Sequence, residues 1–280
     1  MPNGPHHPTQ DHAAQPWIDV WNPGSFDREL HAFLDRHAEL ISAFRSESRR
    51  LFVEREAQTV RGMPELNRHG PAWCAMRDAV TALMADRVIR TWHFTRITDR
   101  EIAAIARNGL QPMTIDLIGR RLEALVEDGV IDSAGAAMLF AASPYHRQLD
   151  GNREGRIWLT AQPIPIDDDD VIDLLGKWGG ESISFTHRSG AASDRLAAIG
   201  KPAIIEVALP LCITTRVGEA AGCVIDSYSA MLGFDDIWPS AADIVAVEDI
   251  RPEWIRAIHL EGEPAFGRMG RGYPESFTAP

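Results

Sequence analysis

The chain has 280 residues, a formal net charge of −12, 45% hydrophobic residues and 24% charged ones, which suits a globular protein with one core and room for a helical extension. Its acidity excludes nucleic-acid binding by bulk electrostatics, and Cys74, Cys212 and Cys223 are too few and too scattered for a disulfide framework or a Cys-rich zinc site. No apolar run approaches the ~20 residues of a membrane span and no secretory signal opens the chain, so the expectation is a cytoplasmic protein that does not engage a membrane.

The charge is uneven. Residues 1–125 carry 16 Arg and 16 acids, whereas 126–280 carry 12 basic residues against 24 acids. Residues 1–17, rich in Pro, His and polar residues, read as a disordered leader. After the turn Asn22-Pro23-Gly24-Ser25, the residues Phe26, Leu30, Phe33, Leu34, Leu40, Ile41 and Phe44 recur at helical spacing, and Asp27 and Glu29 favour the helix N-terminus. This predicts one long helix or two, ending near Gly62-Met63-Pro64. Arg45, Arg49, Arg50 and Arg55 read as a solvated face paired with Glu47, Glu54 and Glu56; a surface for a protein or nucleic-acid partner is the alternative. Pro71 fits the first turn of a further helix through Met76, Val80 and Met84. Residues 18–87 are thus a helical N-terminal extension.

A strand follows through Val88, Ile89, Trp92 and Phe94. Thr98 and Glu101 form a capping box, and Asn108-Gly109 stops that helix with Gly109 at a left-handed position. Thr114 caps another helix, closed by Asp128-Gly129, and Ser133 begins an Ala-rich one that stops at Ser143-Pro144. These helices read as an insertion between two strands, because Arg156-Ile157-Trp158-Leu159-Thr160 is a strand again. Asp167 to Asp170 read as N-terminal acids on a short helix rather than a metal site. Trp178-Gly179-Gly180-Glu181 leads into an expected strand, Ser182-Ile183-Ser184-Phe185, and Ser193 is placed to cap a short helix ending at Gly200. Ala203 to Leu209 is the clearest strand, with Glu206 assigned to a wet face. Val224 and Ile225 mark a weaker segment, Ala242 to Val247 another strand, and residues 264–280 a loose Gly- and Pro-rich tail.

Helices, one strand, helices and then mostly strands favour α+β over a doubly wound sheet. The chain has no Gly-rich phosphate loop, no His-Glu-x-x-His and no Gly-x-Ser-x-Gly.

The strand end His93-Phe94-Thr95, with a helix closed by Asn108-Gly109-Leu110, resembles the opening of ADP-ribosyltransferase domains. Gly155 to Thr160 looks like the family's second core strand, Pro202 to Pro210 like its central strand, and Ala242 to Ile255 like its last strand and return. The resemblance implies an α+β domain over 88–263 with an ADP-ribosyltransferase-like split β core. It also implies NAD as substrate, with no metal. It assigns His93 to the nicotinamide ribose, with Phe94, Thr95 and Arg96 beside it in the dinucleotide site; Arg96 itself reads either as a bidentate partner for a pyrophosphate or as an exposed side chain. Trp158 or Phe94 would stack on nicotinamide, beside the strand's hydroxyl residue Thr160. The catalytic carboxylate falls on Asp243, where the family carries Glu, with Glu248 and Glu181 as alternatives. The implied function is transfer of ADP-ribose to a macromolecular acceptor, protein or nucleic acid, as in a bacterial toxin or defence effector. The alternatives are a catalytically silent binding module, its N-terminal helices facing a protein partner, and an NAD glycohydrolase.

Overall fold

In the computed structural model, residues 16–57, 65–147, 154–187, 189–234 and 242–277 are described. Most of the expected leader, the expected helix end near Gly62-Met63-Pro64 and part of the loop before Arg156 lie outside them. A five-stranded sheet carries β1 (Val88–Ile97), β2 (Ile157–Thr160), β3 (Lys201–Pro210), β4 (Asp243–Ala246) and β5 (Ile255–Leu260) in the order β4-β2-β1-β3-β5. Every neighbouring pair is antiparallel.

The pairing is unequal, and this positions the site. β1 pairs with β3 along its whole length, from Val88 opposite Pro210 to Ile97 opposite Lys201. β2 pairs with β4 along its whole length too. Between β1 and β2 the register is held at one position, Trp92 opposite Thr160. The sheet is therefore a β1-β3-β5 body and a β2-β4 pair joined at a point, and beyond Trp92 the two strands part.

Successive side chains of a strand face opposite ways, so β1 serves two cores. Ile89 and Ile97 join Ile205, Val207 and Ile244 in the main core, which takes in Leu30 and Leu34 of α1 (Arg28–Arg36), Ile41 of α2 (Ala38–Ala57) and Met76, Val80 and Met84 of α3 (Gly70–Met84). The N-terminal helices thus share the core of the sheet. Trp92 and Phe94 pack on the other side with Ile204, Phe266 and Met269.

The helix after β1 is α4 (Asp99–Asn108), with both capping-box bonds formed between Thr98 and Glu101. Gly109 ends it at φ 75°, where a Cβ would sit 1.8 Å from the Ile250 carbonyl oxygen; only glycine fits. The insertion holds α5 (Ile115–Glu127), capped by Thr114, and α6 (Ser133–Ala142), capped by Asp132. These pack not on the sheet but on Trp178, Ile183, Leu196 and Ile199, in a core of their own. The acid run opens α7 (Asp169–Gly176), with Asp168 as its N-cap.

Four expectations fail. Residues expected as a strand after Gly180 form a helical turn, α8 (Glu181–Ser184), because Gly180 at φ 54° redirects the chain and Ile183 turns into the insertion core. The helix α9 (Ala191–Ala198) is entered through Gly190; Ser193 is not its cap. Val224 and Ile225 belong to α10 (Val217–Met231), which is buried on most of its circumference and so lacks an amphipathic signal. Finally, the C-terminal residues are not loose. They form α11 (Pro264–Met269), Phe266 and Met269 are buried, and Phe277 stacks on Trp21 with ring centroids 3.9 Å apart. Among the described residues no helix is long and apolar enough to cross a membrane.

Candidate functional site

Where β1 and β2 part, a cavity of about 580 Å³ opens. Its walls carry His93, Trp158, Thr160 and Asp243 from the strands, Glu101 and Arg121 from the helices, and Glu181 from α8. His93 is the first β1 residue beyond the junction. Its Nδ1 lies 2.8 Å from the Trp158 carbonyl oxygen, and since a carbonyl only accepts, Nδ1 carries the proton. The bond ties the strands together just where their ladder ends. Nε2 is then an acceptor, as long as the ring stays neutral.

The surroundings keep it neutral. Burial pushes the imidazole down from its ordinary value of 6.5, the bond to Trp158 opposes this, and the positive charge of Arg121 pushes it further down. The result is a hydrogen-bond acceptor fixed in the cavity wall at neutral pH.

Trp158 is half-buried, with the Arg216 guanidinium 5.1 Å from its ring centroid. The Thr160 hydroxyl donates to the Gln162 carbonyl at 2.7 Å. Asp243 is the first residue of β4, opposite Thr160 and exposed. Phe94 and Thr95 also line the cavity, although the Phe94 ring is mostly spent in the core with Val171 and Leu175.

Two of the residues picked from sequence lie elsewhere. Arg96 is not in the cavity wall: its Nε donates to the Ile199 carbonyl at 2.7 Å and Nη1 to that of Leu175 at 3.2 Å, which fastens β1 to α7 and to the end of α9. Glu248 is exposed in the turn after β4 and also lies outside the wall, where its charge acts on Cys212. Glu206, expected on a wet face, is buried. Its carboxylate accepts from Arg90 Nε at 2.8 Å and lies 3.3 Å from His259 Nε2.

No family model, no curated protein and no solved structure matches the chain. What the site can do follows from its own chemistry.

That chemistry includes two residues which the sequence reading passed over as site residues. Glu101 completes the capping box but also accepts from Arg121 Nε at 2.7 Å and from the Trp178 indole at 2.9 Å. Burial works to raise its carboxyl, and Arg121, the Thr98 N–H and the indole overrule this, holding it below 4.5. Arg121 lies over the Trp178 ring, 4.7 Å from its centroid. One signal was present: Arg121 stands between Ile118, Leu122 and Leu125, on the apolar stripe of α5. Among the described residues, no cluster of three or more His, Cys, Asp or Glu could hold a metal ion.

Proposed function

We propose that the chain is an NAD-consuming ADP-ribosyltransferase with a split β core, whose cavity between β1 and β2 receives the nicotinamide end of NAD. One observation carries this reading: His93, Trp158, Thr160 and Asp243, from three separate stretches of sequence, line one cavity at the point where the sheet divides. The chemistry needs such a set. As the bond from C1′ to the pyridine nitrogen breaks, that nitrogen keeps the electron pair and leaves as neutral nicotinamide, and positive charge builds on the sugar. A fixed carboxylate beside the sugar stabilises that charge, and Asp243 is placed at the cavity to supply it. Neutral His93 accepts from a ribose hydroxyl through Nε2. Trp158 offers an aromatic wall that shields the leaving group from water. The acceptor nucleophile then bonds to C1′ and loses its proton.

The test is labelled NAD incubated with the protein and a cell lysate, alongside His93→Ala and Asp243→Asn. Label on a macromolecule, lost in both variants, supports transfer. Free ADP-ribose as the sole product indicates a glycohydrolase, and NAD bound but unconsumed indicates a silent binding module. If Asp243→Asn retains full activity, the carboxylate role passes to Glu181, which also lines the cavity.

A further inference from the structure

We infer that Arg121 and Arg156 form a diphosphate-binding subsite at one end of the cavity, supplied by the helical insertion and the entry to β2. The assignment of that diphosphate to NAD rests on the proposed activity; the anionic character of the ligand rests on the geometry alone.

The register sets the two ends apart. β1 and β2 are antiparallel with Trp92 opposite Thr160, so moving along β1 from Trp92 towards Ile97 runs from Thr160 back towards Arg156. α4 leaves directly from that end of β1, and Glu101 in its first turn holds Arg121 there. Asp243, opposite Thr160, marks the other end. Four residue steps along the chain separate Arg156 from Thr160, roughly 13 Å at the usual rise. Both arginines line the cavity, as does Asp243.

Arg121 is prepared for an anion. Its Nε edge is fixed by Glu101, one face lies against the Trp178 ring, and its side chain is 16% exposed. Glu101 cannot swing away, since the Thr98 N–H and the Trp178 indole hold its other oxygen. Among the described residues the terminal Nη groups of Arg121 make no further hydrogen bond or ion pair, and the Arg156 side chain makes none at all. A guanidinium held by one edge in a cavity wall, with its Nη groups unanswered among the described residues, is a preorganised fork for phosphate oxygens. A single carboxylate would answer one guanidinium; a diphosphate, with a charge on each phosphorus, answers both. Arg96, the sequence choice for this role, is already bonded to two carbonyls.

The test is calorimetric titration of ADP, inorganic pyrophosphate and nicotinamide into wild type, Arg121→Gln, Arg121→Lys and Arg156→Gln. Each glutamine variant is expected to weaken ADP and pyrophosphate by roughly tenfold or more, the scale of a lost hydrogen bond to a charged group. Nicotinamide affinity should stay within about twofold. Arg121→Lys, which keeps the charge without the fork, should fall between. ADP binding that is unchanged in both glutamine variants, or absent from folded wild type, overturns the inference. Should Arg121→Gln fail to fold without its partnership with Glu101, Arg156→Gln carries the test, because it breaks no ion pair. NAD consumed with unchanged KM in the glutamine variants removes the subsite and leaves the transferase reading standing. Arginine-dependent ADP binding by a chain that leaves NAD intact does the reverse.

Discussion

His93→Phe separates the structural and the chemical parts of the site. The substitution keeps a flat ring but removes the Nδ1–H that bridges to the Trp158 carbonyl at 2.8 Å, and the Nε2 acceptor. The lost bridge should lower stability by about 1 kcal/mol, since the cavity lets water reach the abandoned carbonyl. The lost acceptor should lower kcat/KM for NAD by about tenfold, the upper range for one neutral hydrogen bond. A pH arm checks the ring's protonation state. Its pKa is depressed below 6.5 in the folded chain, so below about 6.5 the unfolded state takes up a proton that the folded state refuses. Wild-type stability should therefore fall as pH drops from about 6.5 towards the folded value, and the phenylalanine variant should lose that part of the slope. Urea denaturation at pH 7.5 and 5.5, with NAD consumption at pH 7.5, measures all three effects. A variant with kcat/KM within twofold of wild type would refute contact between His93 and substrate. Equal pH dependence in the two proteins would refute a ring held neutral.

Glu206→Gln should destabilise the fold by about 3 kcal/mol, because it strands the Arg90 guanidinium, whose remaining acid is Asp19 at 3.7 Å. Burial raises the Glu206 carboxyl, but His259 and Arg90 hold it below 4.5. Its stabilisation is thus present above about pH 4.5 and is lost as pH falls through the folded value; acid titration of the variant should show less of that loss. Gly109→Ala should cost at least about 3 kcal/mol, read from the thermal midpoint. The Ile250 carbonyl in its way cannot yield without breaking the two backbone bonds that Leu110 and Ile250 exchange. Phe277→Ala should cost about 2 kcal/mol, since its ring stacks on Trp21 and faces the Arg90 guanidinium; an unchanged midpoint would restore the reading of a loose tail.

What the sequence made legible was what local chemistry decides. Thr98, Glu101 and Gly109 define α4 through bonds spanning a few residues, and Thr114 and Asp168 do the same for their helices. Four of the five strands that were named survive because β-branched and apolar content needs no distant partner. The failures share a different cause. Ser182 to Phe185 alternates like a strand, and only Gly179 and Gly180, both at positive φ, turn it into a helical turn. Around α10 nearly every side is buried, so no periodic contrast exists to be read. The C-terminal segment looks loose because its anchors, Phe266, Met269 and Phe277, are few among glycines and prolines and act through contacts with the sheet and the N-terminal stretch.

The site residues divide along the same line. Asp243 opens its strand and Trp158 lies inside one that the sequence marks, whereas His93, expected at a strand end, sits within β1, which runs on to Ile97; Arg121 depends on Trp178, in a segment beyond β2 that no local rule connects to α5. Even so, a charge inside an apolar pattern is itself information. Desolvating it is too costly without a partner, so Glu206 on its apolar strand and Arg121 on its apolar stripe each predict a counter-charge before any coordinates exist. The way each is answered separates their roles. Glu206 is met on both oxygens, by Arg90 and by His259, and its requirements are closed within the fold. Arg121, a residue of the cavity wall, is met by Glu101 through Nε alone among the described residues. A buried charge that the fold only half satisfies is held in place for something the fold does not contain, and that distinction assigns Glu206 to stability and Arg121 to the ligand.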